Sequence, residues 1–379
     1  MDQCVSCAWE KNNGSTIDDS KSNVEWGRIV GVSEASIRRH RINHRKPAGL
    51  AIPNGVWGTL VESALWDPIH PARHVELTVK SVPSGFVRHS ERRLAMKGSD
   101  TQVGFRKFAD GTYEAFHDEK AMDLFLQVAY EYQPDEIDLL GDLLDLPSQG
   151  KYAKEAAFSN TTQMAIDYLY EWLYKLRALC PDAKITIVEG NHDKRMQNFV
   201  EMNTLAAFGL RQASLPDSMP VMSIPFLLRL DELNIEYVDA YPTATKWDNA
   251  TTRNIHGTRA SSVGSTTSQY IKELPHLNTW AGHTHRVEIT YKSVIGPYGR
   301  AVESYSANPG CLCKTDGTVP SVKGSIGADG HHGVTTEDWQ TGFGFNWYTD
   351  TESWPSVYRI RDGIVLIDGV EYRGTIVNL

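Results

Sequence analysis

Asp138-Leu-Leu-Gly-Asp142-Leu-Leu-Asp145 and Ile187-Val-Glu-Gly190-Asn191-His192-Asp193-Lys-Arg195 decide how this chain is read. Each is an apolar run that stops at glycine and continues at once into side chains able to hold a metal. The sequence between them has helical periodicity. The pair therefore predicts a strand–helix–strand unit whose two strand ends present ligands on one edge, where open α/β sheets place their sites.

Working outward, residues 102–108 are expected to form the first strand of the sheet, followed by Asp110-Gly-Thr112. Residues 119–132 carry Met122, Phe125, Leu126 and Ala129 on one helical face. A strand at 137–140, a helix at 161–180 and a strand at 184–189 follow, then a helical stretch at 196–210. Strands alternating with helices of this length predict a parallel sheet covered on both faces. Asn254-Ile-His256-Gly257 closes another short strand, and Asn278-Thr-Trp-Ala281 leads into Gly282-His283-Thr-His285. From Val287 the pattern alternates, with strands expected at 287–293, 301–306, 342–348, 356–360 and 364–367. A second, mostly antiparallel sheet would complete an α/β sandwich.

The 379 residues suffice for one large domain with small additions, and 41 % hydrophobic and 22 % charged content is ordinary for a globular chain. No apolar run approaches the length of a membrane span, and the first ten residues lack the pattern of a secretory signal. Five cysteines are few and odd in number, which points to a reduced, cytoplasmic protein. Charge is uneven. Residues 1–107 hold 16 Lys+Arg and 11 Asp+Glu, a net of +5, whereas residues 108–379 hold 22 and 36, a net of −14. Metal ions would offset part of that acidity, because their ligands are counted in it.

The basic front contains Val24-Glu-Trp26-Gly-Arg-Ile-Val-Gly31-Val-Ser33-Glu-Ala-Ser-Ile-Arg38-Arg39-His-Arg41. Gly31 suits a turn between two helices and Ser33 an N-cap, so residues 1–47 read as a helix-turn-helix-like segment. Arg38, Arg39 and Arg41 are its candidate DNA contacts. A small helical hairpin with a solvated basic face is the plain alternative. Cys4 and Cys7 with His40 and His44 could form a zinc site, but the long gap between the pairs favours two free thiols. Residues 48–100 read as a linker with small β elements, including an exposed helical turn at 90–97, and residues 101–379 as the catalytic domain.

Asp, Asn and His donors without Cys suit divalent ions such as Mn, Fe or Zn, with Mn the expected pair. Two such ions about 4 Å apart need an anionic bridge, which Asp142 can supply, and they activate a shared water to attack phosphorus in line with the leaving oxygen. His192, beside the ligand Asn191, is placed to donate a proton to that oxygen.

These motifs resemble the calcineurin-like metallophosphoesterase family over about residues 102–310. Phe116-His-Asp-Glu-Lys-Ala, Gly190-Asn-His-Asp-Lys-Arg and Asn308-Pro-Gly-Cys-Leu-Cys are similar to a phage-encoded branch. The resemblance implies a four-layer α/β sandwich, two mixed sheets flanked by helices, with two metals at the strand ends. It implies Asn191, His256 and His283 on one metal, His285 on the other, Asp142 between them, and Asp145 orienting a histidine. The family's first motif, Asp-x-His, is matched here to Asp110-Gly-Thr112, with Asp110 as ligand and Thr112 a poor replacement for histidine. His117 could fold back to fill that place. The expected activity is hydrolysis of phosphodiesters, DNA first. The alternatives are a phosphatase or small-phosphodiester hydrolase, and a DNA-binding regulator with vestigial catalysis.

Overall fold

The computed structural model describes residues 23–30, 91–150, 155–214, 220–260, 264–296, 299–320 and 338–374. The chain divides into two compact units, Met1–Val79 with Val377–Leu379, and Lys80–Ile376. In the first, the described part is a helix, Asn23–Val30, with Trp26 buried and Glu25, Arg28 and Ile29 exposed. Arg38, Arg39, Arg41, Cys4, Cys7, His40 and His44 lie outside the described residues.

The second unit holds two mixed sheets flanked by helices. The six-stranded sheet runs β13 (Ser353–Arg359), β12 (Gly342–Tyr348), β1 (Arg93–Gly98), β4 (Glu136–Leu139), β5 (Lys184–Val188), β6 (Ile235–Val238). The strands β1, β4, β5 and β6 are parallel, and β12 joins β1 antiparallel. The five-stranded sheet runs β10 (Val287–Ile295), β11 (Ala301–Pro309), β9 (Asn278–Ala281), β8 (Thr252–Ile255), β7 (Lys246–Trp247). Two hairpins, β2 (Phe105–Lys107) with β3 (Tyr113–Ala115) and β14 (Ile364–Ile367) with β15 (Val370–Arg373), lie outside both sheets.

The expectation for the first strand is corrected here. Residues 102–108 do not enter the main sheet; Phe105–Lys107 pairs only with β3. The leading strand is β1, inside the stretch read as linker and over the residues read as a helical turn. It is buried along almost its whole length. Lys97 disguises it, since a lysine normally marks an exposed face. Here Lys97 is 0 % exposed, and its ammonium bonds Asp138 of β4 at 2.5 Å and Asp248 at 2.7 Å. Lys246 meets Glu136, Asp138 and Asp248 from the second sheet. A buried charge is tolerated only with such partners.

The strands after Val287 also distribute differently from expectation. Only β10 and β11 stay in the second sheet, while β12 and β13 cross to extend the first beyond β1. The core between the sheets centres on Leu140, Trp280, Tyr305 and Ala307, with Ile289 and Val357 against them. Helix Glu119–Tyr132 opens at Asp118, whose carboxylate accepts from the amides of Lys120 and Ala121. It seats Phe125 against Gly98 and packs on helix Thr162–Leu179, whose Trp172 indole donates to Met122 O. Helix Thr266–Glu273 packs on β9, β10 and β11.

Candidate metal centre

The loops that leave β1, β4, β5, β8 and β9 converge at one edge. After β1, Asp100 N donates to Gly141 O and Gln102 N to Asp142 O, so the first loop is laced to the second. After β5, Asp193 ties the second loop to the third: Oδ1 accepts from Leu143 N and Leu144 N, and Oδ2 from Gly190 N. Burial, with the charge of Asp142 beside it, pushes Asp193 up to about 7. His192 N donates to Asp142 Oδ1 at 2.7 Å. This approach explains Gly190, since a Cβ there would overlap the backbone nitrogen and Oδ1 of Asp142.

Asp100, Gln102, Asp142, His283 and His285 all hold positive φ, between 47° and 71°. This left-handed backbone is costly for such residues, and it persists where surrounding structure enforces it, most often at functional sites.

Around Asp142 the donors crowd. His256 Nε2 lies 3.3 Å from Asp142 Oδ2, 3.1 Å from Asn191 Oδ1 and 3.2 Å from His283 Nδ1. Its other nitrogen, Nδ1, is 2.7 Å from Leu140 O and must donate to it, which leaves a lone pair on Nε2 of the neutral ring. Of the three neighbours only a protonated His283 Nδ1 could share a hydrogen with that lone pair; the two oxygens carry none as placed. Separations of about 3 Å are those of adjacent ligands around a cation held at about 2.1 Å. This is the fit expected of a metal site, with Asp142, His256, His283 and Asn191 as donors.

Beside it, Asp100 Oδ1 lies 3.0 Å from His285 Nε2, and Asp100 Oδ2 accepts from His283 N at 2.9 Å. Gln102 is 1 % exposed; its Nε2 reaches Asp142 Oδ2 at 3.3 Å, and its Oε1 is buried with no hydrogen-bond partner among the described residues. A half-turn of the amide would present Oε1 beside Asp142 instead. Asp100 pairs with His285 and Gln102 reaches Asp142, and these are the donors from which a second set sharing Asp142 would be built.

Charge supports the same reading. Burial works against protonation of His256, yet Asp142 raises it to about 9; burial likewise opposes His285, and Asp100 raises it to about 9. Burial and the neighbouring His256 push His283 down to about 4. The carboxylates of Asp100 and Asp142 are held below their usual range despite burial, by His285 and His256 respectively. Two buried carboxylates here call for positive charge, which protons on the histidines supply when no metal does.

Of the residues singled out from sequence, the structure brings together Asp142, Asn191, His192, His256, His283, His285 and Asp145. His192 Nδ1 faces Asp145 Oδ1 at 2.9 Å, and its Nε2 faces Arg195 Nη2 at 2.8 Å. It does not bring in Asp110. That residue sits exposed in the turn between β2 and β3, where its carboxylate accepts from the backbone and hydroxyl of Thr112. Nor does His117 fold back: its buried ring packs against Phe105 and Tyr168. The residues missed are Asp100 and Gln102. The signal was the run Leu94-Ala-Met96 stopping at Gly98-Ser-Asp100, hidden by the charges around it.

A further acidic group, Glu136, Asp138 and Asp248, is no match for a metal. The ammonium groups of Lys97 and Lys246 already occupy the space between its carboxylates.

No family model matches the chain. It is 24 % identical over 275 residues to the Gene 54 protein of Mycobacterium phage D29, covering 72 % of this chain and 95 % of the phage protein. Among solved structures, vacuolar protein sorting 29 of Cryptosporidium parvum is 12 % identical with a TM-score of 0.32, covering 75 % of this chain and all of that one. The phosphoesterase Yfce of E. coli is 10 % identical at a TM-score of 0.29, with 70 % of this chain and 98 % of that chain covered. A dimetal phosphatase from Danio rerio is 10 % identical at 0.27, with coverage of 69 % and 98 %.

Proposed function

We propose that this chain is a metal-dependent phosphoesterase that hydrolyses phosphodiester bonds, with DNA as its substrate and two divalent cations, manganese in the first instance, as cofactors. The observation that carries this reading is the meeting of Asp142, Asn191 and His283 donor atoms at 3.1–3.3 Å around His256 Nε2. Asp100, Gln102, Asp142 and His285 would hold one cation and Asp142, Asn191, His256 and His283 the other. Such ions, when bound, withdraw charge from phosphate oxygens and acidify water near neutral pH.

The protein's own groups complete the chemistry. Asp145 Oδ1 lies 2.9 Å from His192 Nδ1, and Nε2 is the atom turned toward Asp142, 3.8 Å from its Oδ2. A proton carried on Nε2 can pass to the departing oxygen, with Asp145 stabilising the charged ring. Arg195 rests against the same Nε2. It must release that nitrogen for the transfer, and its guanidinium is then free to pair with a phosphate oxygen.

DNA as substrate is supported by the net charge of +5 over residues 1–107, which offers phosphate contacts that the acidic remainder lacks. Arg38, Arg39 and Arg41 are the residues proposed to make them. The net of −14 over residues 108–379 supports the competing reading, a small-phosphodiester hydrolase. Incubation with manganese and linear, circular or single-stranded DNA, beside an aryl phosphodiester, separates the two. Cleavage of DNA that weakens steeply with salt supports the first, and cleavage of the aryl ester alone supports the second.

A further inference from the structure

Among the described residues the cysteines are Cys180, Cys311 and Cys313. The last two follow β11 in Asn308-Pro-Gly310-Cys311-Leu-Cys313 and are both 0 % exposed. The loop is held firmly: Gly310 turns with φ +88°, Cys311 N donates to Gln340 O, and Cys313 bridges to the backbone of His117. Cys313 Sγ lies 3.8 Å from His285 Nδ1, and the two sulfurs and a ring nitrogen of His285 form a group whose atoms all lie within 4.8 Å of one another. The opposite nitrogen of the same ring, Nε2, is the one that faces Asp100. His285 therefore has the metal centre in front of it and two thiols behind it, with the Trp339 ring at 4.0 Å between centroids.

From this we infer that Cys311 Sγ, Cys313 Sγ and His285 Nδ1 form a binding site for one soft cation such as Zn(II), Cd(II) or Cu(I), and that filling it disables the centre in front. Metal–sulfur and metal–nitrogen bonds of about 2.3 and 2.05 Å at a trigonal angle place the two donor atoms about 3.8 Å apart. The Cys313–His285 separation has that value. Two thiolates and an imidazole are a softer donor set than the mixed carboxylate, amide and imidazole donors around Asp142.

Binding forms two metal–sulfur bonds and one metal–nitrogen bond, and releases the two thiol protons to solvent. A neutral imidazole has one lone pair. When Nδ1 gives it to the soft ion, the ring proton sits on Nε2. There it can donate to Asp100 Oδ1 but can no longer ligate a cation. The inhibitory half of the inference rests on the phosphoesterase reading; the binding half does not.

The test is a cadmium titration of the full chain, stripped of divalent ions, followed by the ultraviolet sulfur-to-cadmium charge-transfer band. Cys4→Ser and Cys7→Ser are introduced first to remove the other thiol pair. One equivalent of cadmium should develop the band in that background. Cys311→Ser and Cys313→Ser should each lose it, with folding checked by circular dichroism; Cys311→Ala serves where a serine variant fails to fold. Cadmium at one equivalent should slow manganese-dependent hydrolysis at least tenfold in the background protein, and less than twofold in Cys311→Ser relative to its own untreated rate. Absence of the band, or its survival in every folded Cys311 and Cys313 variant, overturns the site. A band with no manganese-dependent hydrolysis in any arm leaves the site standing and removes the phosphoesterase reading.

Discussion

Asp100 Oδ1 meets His285 Nε2 at 3.0 Å across 185 positions of sequence, and this contact joins the end of β1 to the loop after β9. It sets Asp100, rather than Asp110, beside the candidate ligand His285. Asp100→Asn should lower manganese-dependent hydrolysis by on the order of 100-fold or more, the scale at which metal ligands and their partners act. Asp110→Asn, a change in an exposed turn, should leave the rate within about twofold. Steady-state kinetics on an aryl phosphodiester decides between them, and the opposite ranking would restore Asp110 as the ligand.

With its amide turned, Gln102 would offer an oxygen where a histidine nitrogen would make the site softer. Gln102→Ala should weaken one of two manganese sites by roughly 10- to 100-fold in calorimetric titration. Gln102→His should shift preference from manganese toward zinc. Unchanged affinity in both variants would show that the buried Oε1 points at no ion.

His192 and Asp145 should matter most where the leaving oxygen needs a proton. His192→Ala is expected to reduce kcat on DNA by roughly 10²- to 10⁴-fold, the range of general acid catalysis. On an aryl ester, whose phenolate leaves unaided, the loss should be much smaller. Asp145→Asn should follow the same pattern. Equal losses on both substrates would point to a binding role instead.

The metal-free protein should lose stability as pH rises. His256 and His285 have folded-state values of about 9, above the unfolded value of about 6.5. Their contribution is therefore fully present below pH 6.5 and lost as pH climbs through about 9. Asp193, raised to about 7, adds a loss in the same direction that is complete near neutral pH. His283, depressed to about 4, acts oppositely, and only as pH falls below 6.5. Melting temperatures from pH 6.5 to 9 should fall without metal and hold steady with saturating manganese. A flat metal-free profile would speak against buried carboxylates that need positive charge.

Much of this site was legible in the sequence because its ligands follow apolar runs that end in glycine. Gly141-Asp142, Gly190-Asn191-His192 and Gly282-His283-Thr-His285 all lie where the strand ends were expected. Asp100 was not, because a central strand normally excludes lysine, and the partners of Lys97 come from residues 138 and 248. No local pattern reports a counter-charge that distant. The crossing of β12 and β13 into the first sheet was hidden for a similar reason, since alternation marks a strand without naming its neighbour.

Hydrolysis of an aryl phosphodiester by the wild-type chain and by Asp142→Asn, across a manganese titration, tests the central claim most directly. Asp142 is the carboxylate proposed to serve both cations. The expected result is metal-dependent turnover in the wild type and a loss of on the order of 100-fold or more in the variant. Equal turnover by the two proteins, or none by the wild type with any divalent ion, would contradict the account.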